Sequence, residues 1–364
     1  MTKADVLIVG GGIHGCALAR ELALRGREVV VLERSVPGAE ASSAAGGILG
    51  PHLEANHGPE FLSLGRYSLD LYPEWVSQIE EESGQEVGFN RCGGLQLCFD
   101  SDRLSGLRAQ AEQMASAGLP AHWLAAEACR ALEPNLGNVL GGIHFPQEAQ
   151  VSPRKLMAAL TVAARKAGAT FVSDTVLSIE EDTPTVRCVS GKREAQQVVL
   201  AAGAWTTTLP GTGLSPDTVS PARGQMLVLQ CDLPPASSIL FSERGYAVPR
   251  SDGSVLVGST LEFVGFEKAV TVAGVRSILE TGTQLLPCLE EATLSDSWSG
   301  FRPWTPDHLP LLGVSRDGLW FSTGHYRNGI LLAPASARLL ADSMTGGVPA
   351  VPMSPFSPAR FLCR

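Results

Sequence analysis

The sequence predicts an α/β fold in which a parallel sheet flanked by helices is joined to a second, mixed or antiparallel sheet. Three observations lead to this prediction. The chain opens with a short apolar run, a glycine-rich turn and a helical pattern, the order expected of a parallel β-α-β unit. Apolar runs between residues 219 and 258 are separated by Pro, Gly and Ser, as in antiparallel sheets. The 364 residues, 44% of them hydrophobic, are enough for about two domains.

The glycine-rich turn near the start carries the most information. Val6 to Val9 is typical of a buried strand, and Gly10, Gly12 and Gly15 follow at G-x-G-x-x-G spacing. A helical pattern and a second apolar run come next, and that run ends at Glu33. Gly10 permits a tight turn, Gly12 lets the backbone approach a pyrophosphate, and Gly15 lets the helix pack on the strand. An acid at position 33 accepts hydrogen bonds from ribose hydroxyls, so the turn predicts a Rossmann-like site for FAD or NAD rather than NADP.

Further along the chain, the spacing of apolar residues changes repeatedly between helical and strand patterns. Helices are predicted over residues 61–82, 103–117, 125–132, 153–166, 270–285 and 329–343. Strands are predicted as two short runs within 87–99, at 141–145, within 170–189, and at 197–201, 225–229, 239–241, 246–248, 254–257 and 319–322. The stretch 34–55 is small, polar and glycine-rich, so we predict a loop or the start of a short helix that runs close to a flat ligand.

These patterns divide the chain into two interleaved domains. Residues 1–80, 142–218 and 300–364 are predicted to form the nucleotide-binding domain. Residues 81–141 and 219–299 are predicted to form a substrate-binding domain on the mixed or antiparallel sheet.

Composition excludes several classes of function. The net charge of −9 gives no basic footprint for nucleic acid. No stretch is long and apolar enough to span a bilayer, and the first apolar run belongs to the nucleotide motif rather than to a signal peptide. The eight cysteines are scattered without C-x-x-C pairs or metal-ligand spacing, so we predict reduced thiols, no bound metal and a cytoplasmic location.

Three later stretches carry unusual chemistry and point to a family. They are Gly245 to Pro249, Gly300 to Asp307 and Gly324 to Ile330. Together with GGGIHG at the start, the loop Ala41 to Leu49 and Pro221 to Gln225, they resemble the D-amino acid oxidase superfamily of FAD enzymes. Within it the sequence is most similar to the glycine oxidase branch, the ThiO type of thiamine synthesis, and the run GHYRNGILLAP is its most specific mark.

The resemblance implies a two-domain enzyme with FAD. Sarcosine oxidase relatives attach their flavin through a cysteine near the late arginine-proline region, and Gly300 to Leu312 contains none, so non-covalent FAD is expected. The implied reaction is oxidative deamination of a small amino acid or amine (glycine, sarcosine or a D-amino acid). A hydride passes to flavin N5, and O2 reoxidises the flavin to give H2O2. A related dehydrogenase with another electron acceptor, a redox sensor without turnover and a homo-oligomer remain open.

The expected catalytic residues are Arg302, Tyr246 and Arg327. A guanidinium is a natural fork for a carboxylate, and the arginine of this motif binds the substrate carboxylate in the family. The phenol of Tyr246 could donate to the same carboxylate, which argues against the sensor, and Arg327 is expected either near the pocket mouth or paired with an acid. We assign no general base, because His14 is better read as a helix-start residue packed against the cofactor. The other histidines are expected on the surface or in loops, without a cluster.

The expected cofactor contacts come from several separate parts of the chain and end at the flavin-ring segment Gly324 to Ile330, where the N-terminus of the last helix presents amide donors. They are Gly10, Gly12, Ile13, His14, Gly15, Glu33, Arg34, Ser42, Ser43, Ala44, Gly46, Gly47, Ile48, Val176, Ala202, Gly203, Trp205, Arg302, His325, Tyr326, Arg327, Asn328, Gly329 and Ile330. Three positions depart from the usual glycine oxidase pattern. Trp304 replaces a glycine, His14 replaces an aliphatic residue, and Gly46 to Leu49 differs from Ala-Gly-Met-Leu. A bulky Trp304 beside Arg302 is expected to reshape the pocket.

Overall fold

The computed structural model describes residues 4–54, 57–180 and 183–362. Its helices are α1 Ile13–Leu24, α2 Ala41–Ala44, α3 Pro59–Ser83, α4 Ser101–Ser116, α5 Ala126–Leu132, α6 Pro153–Lys166, α7 Val272–Leu285 and α8 Gly329–Met344. The strands of the first half are β1 Ala4–Val9, β2 Val29–Glu33, β3 Ile48–Leu49, β4 Gly94–Cys98, β5 His122–Ala125, β6 Gly141–Phe145, β7 Ala149–Gln150, β8 Thr170–Ser173 and β9 Val176–Ile179. Those of the second half are β10 Thr185–Cys188, β11 Gly191–Leu200, β12 Ser220–Gln230, β13 Ile239–Ser242, β14 Gly245–Pro249, β15 Ser254–Gly258, β16 Thr293–Trp304, β17 Leu311–Arg316 and β18 Leu319–Thr323.

The first sheet confirms the predicted parallel core. Within the described ranges it has eight strands, and its central order is β17-β18-β11-β1-β2-β8. All of these pairs are parallel except β17–β18, and β10 and β9 extend the sheet as an antiparallel flap from β11. Val6 and Ile8 of β1 face the helices α1, α3, α6 and α8, whereas Leu7 and Val9 pack in a second apolar cluster with β9 and β10. Burial on both faces explains the unbroken apolar run of β1.

The second sheet confirms the predicted mixed or antiparallel sheet. Its strand order, for the residues that the structure describes, is β16-β12-β15-β14-β13-β4-β6-β5. Every neighbouring pair is antiparallel except β13 with β4, which run parallel. Helix α7 packs on one face through Ile278 and Leu285, which share an apolar cluster with β12, β14 and β15.

Sheet membership differs from the predicted domain boundaries at two points. Strand β6 was expected to belong almost wholly to the nucleotide domain, but it pairs with β4 and β5 in the second sheet. Residues 300–304 were also assigned to the nucleotide domain, but they continue β16, which pairs with β12 along its length. An apolar strand pattern does not reveal which sheet a strand joins, because pairing partners are distant in sequence. The division into two domains itself stays a prediction.

One further expectation is wrong. Two strands were predicted within 87–99, but only β4 forms there, together with an isolated bridge from Asn90 to Gln150. Gly93, at φ +70°, interrupts the extended backbone just before β4, and its amide donates to the Glu148 carbonyl instead of continuing a strand.

The fold brings several chain segments to one edge of the first sheet. The carboxyl ends of β1, β2 and β11 meet there, as expected for parallel strands that surround a ligand. The small antiparallel pair of β3 and β7 connects this edge to the second sheet. Among the described helices, none combines the length and the apolar character needed to cross a bilayer.

Candidate cofactor and substrate site

The glycine turn joins β1 to α1 in a geometry that only glycine tolerates. Gly10 has φ +108°, and a Cβ there would lie 2.5 Å from the Ala201 carbonyl oxygen at the end of β11. A Cβ on Gly15 would overlap the Gly10 carbonyl oxygen, so α1 packs against the turn through bare backbone. Glu33 lies at the tip of β2, and its Oε2 accepts a hydrogen bond from the Gly11 amide over 2.8 Å. The acid predicted for ribose recognition is therefore placed directly beside the turn.

A cavity of about 450 Å³ runs from this turn to the second sheet. Nearly all of the residues expected from the sequence line it. They are Gly10, Gly12, Ile13, His14, Glu33, Arg34, Ser42, Ala44, Gly46, Gly47, Ile48, Val176, Ala202, Gly203, Trp205, Tyr246, Arg302, His325, Tyr326, Arg327, Asn328, Gly329 and Ile330.

Two expected contacts, Gly15 and Ser43, do not line the cavity. Gly15 lies beneath the turn, where its role is packing, as described above. Ser42 and Ser43 are neighbours on the short helix α2, so they point in different directions. Ser42 faces the cavity and its Oγ accepts from the Ile13 amide over 2.9 Å, whereas the Ser43 amide donates to the Gly38 carbonyl.

Arg302 is the central cation at the far end of the cavity. It lies on β16 opposite Ala222 of β12, and its guanidinium passes over Gly224, where a Cβ would overlap both terminal nitrogens. Nη2 donates to Ser259 Oγ over 2.6 Å, and Nη1 donates to the Thr260 carbonyl over 3.2 Å. Across the described residues, no carboxylate forms an ion pair with it. Each terminal nitrogen carries two N–H groups, so one donor on each is left over for a ligand.

Tyr246 of β14 lines the same cavity as Arg302. Its side chain is buried, and its hydroxyl donates to Met226 Sδ over 3.4 Å. A thioether is a weak acceptor, so a carboxylate oxygen would replace it readily. A Cβ on Gly46 would lie 3.3 Å from the Tyr246 hydroxyl oxygen, so the cofactor-side loop and the phenol are in contact.

Arg327 combines both alternatives expected for it. It lines the cavity, is 43% exposed, and forms an ion pair with Glu54 over 3.2 Å. Unlike Arg302, its charge is already balanced by an acid. Glu54 and its neighbour His57 were not singled out in the sequence, because the contact depends on how the loop after β3 meets the segment before α8.

Two histidines from opposite ends of the chain, His14 and His325, form a contact that the sequence did not indicate. The rings of His14 and His325 stack with centroids 3.3 Å apart and planes 10° from parallel. Both ring nitrogens of His14 are buried without a hydrogen-bond partner among the described residues, whereas His325 Nε2 lies 3.1 Å from Ser336 Oγ. Burial lowers the pKa of His14 to about 3 and holds the pKa of His325 well below its usual value. The stack is therefore neutral at physiological pH, and such low pKa values make both rings weak proton acceptors.

The His14 stack predicts a specific pH dependence of stability. The folded protein keeps His14 neutral, whereas unfolded chains take up a proton below about pH 6.5, so the free energy of unfolding falls as the pH drops from there towards about 3. In the His14→Ile variant this contribution, up to about 1.4 kcal/mol per pH unit, is removed. We expect a flatter stability curve in urea unfolding at about pH 7 and pH 5.

The exposed His122 offers a matched control. His122→Gln should keep the wild-type slope. A His14→Ile curve as steep as that of the wild type would show that His14 does not carry the pH dependence.

Trp304 does not reshape the cavity as expected. It is absent from the lining and packs edge-on against Phe263 and His308, at ring-centroid distances of 5.4 and 6.1 Å. Arg302 and Trp304 share a face of β16, but the indole lies among these outer aromatic rings.

Sequence reasoning missed several residues that complete the site, above all Met226 and Ser259. Both line the cavity beside Tyr246 and Arg302. Met226 lies two residues after Gly224 on β12, so strand alternation puts the two on one face. That alternation was a usable signal once Gly224 was recognised as part of a family motif. Nothing local identified Ser259, which follows β15.

The lining fits a bound dinucleotide with a redox ring. The bare glycine turn and the N-terminal residues of α1 and α8, Ile13 and Gly329, border one cavity, so two helix N-termini are available for the cofactor's negative charge. No cysteine of the described ranges lines it. The sheet, the turn and the cleft that ends at a free arginine define a dinucleotide-dependent oxidoreductase.

Comparison with known proteins identifies the family. The chain belongs to the FAD dependent oxidoreductase family (DAO), whose model matches residues 5–343. It is 39% identical to the bifunctional protein ThiO/ThiG of Trichormus variabilis over 94% of the chain, and 35% identical to the glycine oxidase of Geobacillus kaustophilus over 99% of the chain and 98% of that protein. The crystal structure of the Geobacillus kaustophilus glycine oxidase superposes with a TM-score of 0.94 at 34% identity, covering 99% of this chain and 98% of that one. The chain spans about half the length of the ThiO/ThiG proteins that it matches.

Proposed function

We propose that this chain catalyses the FAD-dependent oxidative deamination of a small amino acid or amine such as glycine, sarcosine or a D-amino acid, with O2 reduced to H2O2. The observation that carries the proposal is Arg302, a cavity cation held by Ser259 and Thr260 with two outward donors to spare. Glycine oxidases that match nearly the full chain support the choice of substrate class. A role in thiamine synthesis is part of the proposal and is supported by the names of the ThiO/ThiG relatives. The cytoplasmic location and a homo-oligomeric state stay predictions.

In this proposal the cofactor lies along the cavity. The glycine turn and the start of α1 hold the pyrophosphate, Glu33 binds a ribose, and Val176 lies on the adenine side. The N-terminus of α8 faces the ring with its amide donors and its partial positive charge. Bound FAD supplies the two-electron acceptor for the oxidation.

The protein's own contribution is to position the substrate. Arg302 binds the substrate carboxylate through its two free donors, and Tyr246 turns its hydroxyl from Met226 to the same carboxylate. These contacts fix the α-carbon, which is how an enzyme of this kind lowers the barrier for transfer. The low pKa of His14 and His325 makes both poor proton acceptors, so the substrate amine must be neutral before it is oxidised.

A substrate screen tests this function. Purified protein with FAD is mixed with glycine, sarcosine or D-alanine without oxygen, and loss of the visible flavin absorbance is followed. Air is then admitted and peroxide is measured. We expect bleaching followed by peroxide. Bleaching without peroxide would replace the oxidase with a dehydrogenase that uses another acceptor, and no bleaching with any of these compounds would contradict the proposed substrate class.

A further inference from the structure

Arg250 is a largely buried cation that is not among the residues lining the cavity. It follows β14 directly, and burial lowers the pKa of its guanidinium to about 10. Within the described ranges it has no carboxylate in ion-pair contact, and its side-chain hydrogen bonds go to neutral oxygens. Removing a cation from water without a counter-ion is unfavourable, so its retention calls for a specific role.

The side chain of Arg250 donates two hydrogen bonds. One ends on the loop that faces the cofactor, and the other ends on β7, the strand that pairs with β3. Nη2 donates to the Gly46 carbonyl over 2.9 Å, and Gly46 belongs to the cavity-lining stretch 44–48 that continues into β3. Nη1 donates to Gln150 Oε1 over 2.6 Å. Gln150 lies on β7, which pairs with β3, and its Nε2 donates to the Pro249 carbonyl over 3.0 Å. Arg250 and Gln150 thus brace the loop from the second sheet.

The same strand also carries the substrate-side phenol. Tyr246 and Arg250 are four residues apart, so they point to the same side of the extended chain, and both contact Gly46. Strand β14 therefore presents Tyr246 to the cavity, and the residue that follows it donates one hydrogen bond to the cofactor-side loop and one to Gln150 of β7. Gly47 adds a third tie, because the Val151 amide donates to its carbonyl over 2.9 Å.

We propose that Arg250 is a positioning residue that acts through Gly46 to set the separation between the cofactor-facing loop and the substrate side of the cavity. This inference rests on the proposed function. The guanidinium works as a fork that bridges two acceptors, one on the loop and one on β7. Arg250 does not touch Arg302, the residue proposed to bind the substrate carboxylate. Loss of Arg250 should therefore leave substrate binding nearly intact and impair hydride transfer and FAD affinity.

The test compares Arg250→Met and Arg250→Lys with the wild type. For Arg250→Met we expect anaerobic bleaching at saturating substrate to slow about 10- to 100-fold, with KM changed less than about twofold. We expect the Kd for FAD, from titration of the apoprotein, to rise about tenfold. Arg250→Lys keeps the charge but lacks the planar fork, so it should recover only part of the loss. Arg108→Met removes an exposed arginine of α4 that pairs with Glu112, and it should behave as the wild type.

Each outcome decides the inference. Unchanged bleaching and FAD affinity in Arg250→Met would overturn it, and so would full recovery by lysine, which would assign the effect to charge. A lower melting temperature with KM and kcat affected equally would indicate a merely structural role and would also overturn it. If Arg250→Met does not fold, Gln150→Met, which removes the β7 half of the brace, must show the same pattern more weakly. If the wild type is not bleached by any amine, the proposed function fails, whereas FAD affinity and the visible spectrum still test the brace.

Discussion

Replacing Arg302 with methionine is expected to lower kcat/KM by about 100-fold or more, mainly through a higher KM, while FAD remains bound. A charge-assisted hydrogen bond contributes about 1.5–3 kcal/mol, and the substrate carboxylate loses its fork. Methionine keeps an unbranched stem but ends short of the guanidinium that covers Gly224, so the substitution removes the donors without adding bulk. Steady-state peroxide production gives kcat and KM, and the ratio of flavin to protein absorbance gives FAD content.

An exposed arginine at the start of helix α6 provides the control. Arg154 lies outside the cavity, is 56% exposed and pairs with Asp296 of β16, the strand that also carries Arg302. Arg154→Met should therefore keep wild-type kinetics. If Arg302→Met loses FAD while its remaining holoenzyme turns over normally, Arg302 belongs to the cofactor site and the carboxylate role is wrong.

The parts of the site that the sequence predicted are those built from local pattern. The strand, the glycine turn, α1 and Glu33 follow one another within about thirty residues, so spacing alone defined their arrangement. The structure adds a contact that was not predicted, in which the Gly11 amide donates to the Glu33 carboxylate. Arg302, Tyr246 and the segment before α8 were found through family motifs, and all of them line the cavity.

The parts that were missed depend on strand register and on contacts between distant segments. Ser259 reaches Arg302 because β12 lies between β15 and β16 and pairs with both. The His14–His325 stack joins the two ends of the chain through the meeting of α1 and α8, which no local period encodes. The brace from Arg250 to Gly46 has the same origin, since a small two-stranded pairing of β3 with β7 creates it. Sequence patterns show which face of a helix or strand is apolar. Which other helix or strand packs against that face is decided by the topology of the fold.

Replacing Gly15 with alanine is expected to remove most of the FAD affinity. A Cβ at this position would overlap the Gly10 carbonyl oxygen, so α1 must move away from the turn. That movement displaces the helix N-terminus, whose amides and partial positive charge are the proposed site for the pyrophosphate. We expect the Kd for FAD to rise by about 100-fold and the free energy of unfolding to fall by about 1–3 kcal/mol, as for other overpacked sites. Titration of the apoprotein with FAD and urea unfolding measure the two effects.

Gly106 in α4 separates this steric effect from the general effect of adding a methyl group. Nothing lies within 4 Å of a Cβ built there, so Gly106→Ala should keep the FAD affinity and raise the free energy of unfolding by about 0.5–1 kcal/mol through helix propensity. Both substitutions raise the local helix propensity. Only the Cβ added at Gly15 would overlap backbone, the Gly10 carbonyl, which cannot move independently of β1. Wild-type FAD affinity in Gly15→Ala would mean that the turn accommodates a wider helix–strand separation and that cofactor binding does not depend on this close approach.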